Sequence, residues 1–85
     1  MHESRVVADL MRRVEQESKG AGQVRRVTLR VGALAGLSAH SLRHGVEHYA
    51  GERWGYLPDV VVERSTDPTG PDAQGVVLVS IGVGP

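Results

Sequence analysis

Residues 23–32 read QVRRVTLRVG, and the fold turns on how they are placed. Val27, Leu29 and Val31 alternate with Arg26, Thr28 and Arg30, the two-residue period of a strand with one buried face. Upstream, ESRVVADLMRRVEQESK (residues 3–19) sets Val7, Leu10, Met11 and Val14 at helical spacing. Arg12, Arg13, Glu15 and Glu17 then point outward, and Gly20 and Gly22 supply the stop. Downstream, GALAGLSAHSLRHGVEHYAGE (residues 32–52) predicts a loop and a second helix. Ser38 is its N-cap, Leu42, Val46 and Tyr49 its apolar stripe, Gly45 a weak point and Gly51 its end. LPDVVVER (residues 57–64) and VVLVSIGV (residues 76–83) read as two more strands. The proline- and glycine-bearing STDPTGPDAQG (residues 65–75) lies between them as a linker.

The order α-β-α-β-β predicts an α+β fold, with two helices packed on one face of a small three-stranded sheet. Parallel pairing of the first two strands calls for a right-handed crossover through the second helix. The last two strands are expected to pair antiparallel with each other. Eighty-five residues make a single domain, 1–85, with a thin core that self-association could supplement.

Composition removes several classes of function. With no cysteine there is no disulfide, thiolate ligand or cysteine nucleophile, and no structural zinc is expected. Zero formal net charge argues against a nucleic-acid binder that relies on bulk electrostatics. No apolar run reaches membrane-spanning length, and Glu3 and Asp9 interrupt any signal-peptide pattern, so the expected address is cytoplasmic. VGALAG lacks the Lys-Ser/Thr of a phosphate loop, and no serine has a patterned His/Asp partner, so no enzyme is expected. ERWGY (residues 52–56) reads as aromatic cover for the core. Arg25, Arg26 and Arg30 read as a charged outer strand face.

The chain start, MHES, brings an amine, an amide and an imidazole together within two residues. The Met1 amine, the His2 amide and the His2 imidazole close a five-membered and a six-membered chelate ring. Ni(II) or Cu(II), which favour a square plane, suit that nitrogen set. One in-plane position is left for Glu3 or for a group from elsewhere in the fold. At a helix start the His2 amide proton is lost without breaking a ladder bond. The amidate and one carboxylate would also balance the two metal charges beside the positive helix end. On spacing alone, a frayed end with a solvated histidine is the plainer reading.

MHESRVVADLM followed by VRRVTLRVGALAGLSAHSLRHGVEHYA resembles the HypA/HybF family of hydrogenase-maturation nickel metallochaperones. That family begins Met-His-Glu, continues in an amphipathic helix, and carries an arginine-containing strand, a Gly-Glu-Leu-Ser-Gly-like turn and a second helix with a Leu-Arg pair. The likeness covers roughly residues 1–50, and LPDVVVER and GVVLVSIGV resemble the later strands. It implies that Met1, His2 and Glu3 form a nickel site, and that Ni(II) is delivered to the hydrogenase large subunit with a maturation GTPase as partner. The sequence departs from the family where two Cys-x-x-Cys pairs would form a zinc ribbon, a place held here by residues 65–75. Ala33 stands where a turn glutamate is expected, and Ser38 where some members offer an acidic group.

His40, His44 and His48 recur at i, i+4 and i+8, one helix stripe opposite Leu42, Val46 and Tyr49. A solvated polar stripe is the plain reading; His40 with His44 could also grip an ion, and His40 is a candidate fourth ligand for the chain-start site. Two alternatives stay open: a metal-free docking module for the maturation machinery, and a general Cu(II) or divalent-metal carrier.

Overall fold

The computed structural model describes residues 3–84, without the side chain of Glu3. Its elements are α1 (Glu3–Glu17), β1 (Gln23–Val31), α2 (Ala39–Trp54), β2 (Asp59–Arg64) and β3 (Val76–Gly84). This is the expected α+β order. Val7, Met11 and Val14 of α1 and Leu42, Val46 and Ala50 of α2 share one core with Val24, Val27, Leu29 and Val31 of β1. Both helices therefore cover the same sheet face, and Val60, Val62, Val76, Leu78 and Ile81 extend the core from the flanking strands.

The strand order is β2-β1-β3, which corrects the expected pairing of the last two strands. β1 pairs parallel with β2 and antiparallel with β3, so the closing strands lie on opposite sides of it. The reason lies in β1 itself. Its Val27 and Leu29 are completely buried, and a strand with such a row is better placed with neighbours on both sides. Thr28, expected on the open face, is only 8% exposed, because Val61 and Ser80 flank it in register. Arg26 and Arg30 lie opposite Asp59 and Glu63 in the β1–β2 register and form ion pairs with them at 3.8 and 3.1 Å. Such exposed pairs add little stability, but they oppose a slipped register.

Residues 65–75 are consequently a strap that crosses the end of β1, not a hairpin turn. Ser65 donates to the Val31 carbonyl at 2.9 Å, Gly32 to Gly75 at 2.8 Å and Leu34 to Ala73 at 2.7 Å. Ala73, within the strap, is buried. A Cβ on Gly32 would collide with the backbone carbonyl oxygens of Asp72 and Ala73, so only glycine fits there.

α2 runs past Gly51 to Trp54, three residues beyond the expected stop. Gly55 ends it in the left-handed conformation (φ 77°), donating its N–H to the Ala50 carbonyl. Ser38 is the N-cap as expected, accepting from the Ser41 N–H at 3.0 Å. Gly45 lets the helices approach closely: a Cβ there would lie 2.9 Å from Val7 Cγ2. α1 is assigned to Glu17, and Ser18 still donates its N–H to the Val14 carbonyl at 3.0 Å, so the helix all but reaches the expected end.

Gly32→Ala should destabilise the fold by about 2 kcal/mol or more, because the obstruction is backbone that cannot step aside. Gly45→Ala should cost clearly less, since the Val7 side chain can turn and the helix gains about 1 kcal/mol of propensity. Urea unfolding midpoints of the two variants measure the difference.

Candidate functional site

Met1 and His2 lie outside the described residues, as does the side chain of Glu3. α1 begins at Glu3, directly after Met-His, and Val7 one turn further on rests against Gly45 of α2. The start of α1 is thereby held beside the middle of α2. A shallow groove there is lined by Ser4, Val7, Gly45, His48, Tyr49 and Glu52.

Tilt of α1 on α2 is set further along by Glu15. Expected to point outward, its side chain is 29% exposed and turns its carboxylate onto the end of α2. It accepts from Tyr49 Oη at 3.1 Å and from Trp54 Nε1 at 2.8 Å, with Arg53 Nε at 3.8 Å. Arg53 also lies over the Tyr49 ring, 5.3 Å from its centre. Trp54 stacks obliquely on Tyr56, whose hydroxyl accepts from the Val24 N–H at 3.0 Å. The aromatic pair thus covers the core as expected, and it also ties α2 to α1 and β1. Burial, then the hydrogen bond to Glu15 and the charge of Glu15, raise the pKa of the Tyr49 hydroxyl above its ordinary value.

His40, His44 and His48 are all exposed on the outer side of α2, opposite buried Leu42, Val46 and Ala50. His40, the candidate fourth ligand, stands in the first turn and does not line the groove beside Ser4. His48 does, a placement that helical spacing within α2 could not reveal. Ala33 is exposed, and the Ser38 hydroxyl is engaged in its cap. Among the described residues no group of three or more His, Asp or Glu side chains is placed to hold one metal ion. No described helix is long and apolar enough to cross a membrane.

The chain matches no protein-family model, no curated protein and no solved structure.

Glu15→Ala should cost about 1–2 kcal/mol of stability through loss of two hydrogen bonds to a charged acceptor. The Tyr49 shift has a definite sign. The unfolded phenol ionises near its usual value of about 10 while the folded one keeps its proton to higher pH, so stability present below that point declines as pH rises through it. Denaturant unfolding across alkaline pH should show this decline, and Tyr49→Phe should flatten it.

Proposed function

We propose that this protein is a nickel carrier, loading Ni(II) as cargo at its chain start and passing it to a hydrogenase-assembly partner in the cytoplasm. The observation that carries the reading is Met-His-Glu running directly into α1, within a sequence that resembles the HypA/HybF metallochaperones over its first half. His2 binds through its imidazole and deprotonated amide, Met1 through its amine, and Glu3 supplies charge balance or the fourth ligand. His40 remains a candidate for that fourth place. No bond in a substrate is made or broken, so the role is not enzymatic. Partners proposed on the resemblance are a maturation GTPase and the hydrogenase large subunit.

Local geometry supports the reading in two ways. The first N–H groups of α1 have no intrahelical acceptor, so an amidate just before it removes no ladder bond. Contact between Val7 and Gly45 and the Glu15 clasp hold the start of α1 in a fixed relation to α2, which gives a transfer partner a defined surface. A site at a chain end also lets an incoming ligand attack the metal directly, as release of cargo requires.

The metal-free docking reading draws on Ala33 and on the engaged Ser38 hydroxyl, which leave the turn region without the acidic groups that the resemblance leads one to expect.

Tag-free protein, with a mass confirming that it begins at Met1, should hold one Ni(II) per chain in square-planar form, read from its absorption spectrum and not from total uptake. Uptake should weaken as pH falls, because amine, imidazole and amide must all be free of competing protons. His2→Ala should abolish the planar spectrum, and so should a three-residue extension that turns the amine into an amide. A one-residue extension does not serve: it moves the histidine to third place, where amine, two amides and imidazole offer four in-plane nitrogens. An unchanged spectrum after His2→Ala overturns the reading, absence of the planar-ion spectrum in the parent chain favours the docking module, and displacement by Cu(II) under matched cellular concentrations favours the general carrier.

A further inference from the structure

The outer face of α2 carries three imidazoles, of which one, His40, is a candidate fourth ligand for the chain start. His40, His44 and His48 are each exposed, and none of their imidazoles makes a hydrogen bond or ion pair with a described residue. They stand on a helix that is firmly held. Ser38 caps its start, Gly55 its end, and Leu42, Val46 and Ala50 are completely buried beneath it. Their backbone positions are therefore fixed before any ligand arrives.

Helix geometry then decides which of them can share an ion. Residues four apart on one helix face have Cβ atoms about 5–6 Å from each other, close enough for two imidazoles to converge on one metal at about 2.0–2.1 Å. Residues eight apart are separated by about 12 Å along the axis, too far for one ion to hold both. His40–His44 and His44–His48 are thus two overlapping pairs, and His40–His48 is none. Each pair opens onto shallow hollows in the surface, one flanked by Ser41 and Gly45 and the other by Arg43, Glu47 and Leu57. Gly45 and Gly51 place no side chain on their part of the helix, and Glu47 sets a carboxylate beside the stripe.

We propose that α2 carries a second metal site, a histidine pair centred on His44 that takes one divalent first-row transition ion through His44 and either His40 or His48. Imidazole nitrogen suits Zn(II), Cu(II) and Ni(II), and water completes the coordination. Because both pairs need His44, the stripe holds one chelated ion at a time. The ion can shift between pairs without leaving the helix, by exchanging one outer imidazole for the other. With the His48 end of the stripe lining the groove beside Ser4 and Val7, this site lies within reach of the region where α1 begins. The proposal does not rest on the nickel reading and is tested in a chain where that reading has been disabled.

Zn(II) is the appropriate probe, since it seldom displaces amide protons and so avoids the chain start. In tag-free His2→Ala protein, calorimetric titration should give one Zn(II) per chain, with shifts in the imidazole NMR signals of all three histidines. His44→Ala should lower the affinity by about tenfold or more, because it leaves no two imidazoles at chelating spacing. His40→Ala and His48→Ala should each stay within about threefold of the parent, since one pair survives in either variant. All three positions are exposed, so an unchanged circular dichroism spectrum is expected throughout and confirms that folding is not the cause. Undiminished binding in His44→Ala overturns the proposal. So does a loss confined to His48→Ala, which would point to His48 with Glu52, and so does a second equivalent ion per chain. The nickel reading can fail in its own test without altering any of these results, and the reverse holds equally.

Discussion

Both outer strands draw their sheet hydrogen bonds from β1, and that central position organises the rest of the molecule. A strand paired on both edges has two faces left. One is closed by the helices over Val27, Leu29 and Val31, and the other is left to Arg26, Thr28 and Arg30 with their partners. The parallel neighbour requires α2 as a crossover, and the antiparallel neighbour requires a strap around the end of β1. Gly32 is where that strap presses closest, with carbonyl oxygens of residues 72 and 73 occupying the space of a side chain. Strand pairing, helix placement and the strap are consequences of one arrangement.

Two contacts convert this frame into a defined relation between α1 and α2. Gly45 lets Val7 approach closely, and Glu15 gathers Tyr49, Trp54 and Arg53 around one carboxylate. The first contact is steric and the second polar, and they act on different turns of α1. Together they resist rotation as well as sliding of the helix. On the proposed reading, a partner that approaches the start of α1 would meet a helix whose placement is set by packed residues further along.

The histidine stripe shows how one helix can divide its faces by task. Core contacts take Leu42, Val46 and Ala50, the α1 contact takes Gly45 and Tyr49, and the imidazoles keep the outer side. Since the buried faces fix the helix, the backbone of the exposed face is preorganised and only side-chain rotamers remain to be ordered. Metal chemistry at the chain start and on α2 would then differ in kind. The former needs a deprotonated amide and a planar ion, whereas the latter needs only neutral imidazoles at one-turn spacing.

Local pattern was enough for the elements themselves. The period of two in QVRRVTLRV, the apolar spacing of α1 and the capping serine before α2 are properties of neighbouring residues, and each is present in the structure where it was expected. The ligand candidates at Met1, His2 and Glu3 and at the i, i+4 histidines rest on short separations along the chain, the scale on which chelate rings and helix turns are set. Strand order was not legible in the sequence, since β2 and β3 offer similar apolar rows and only the buried centre of β1 selects the middle place. Nor was the inward turn of Glu15, whose partners are 34 and 39 residues away. The end of α2 moved from Gly51 to Gly55 because packing of Trp54 over the core outweighed the local cost of a glycine within the helix. Contacts between distant segments decide such matters, and no window of sequence contains them.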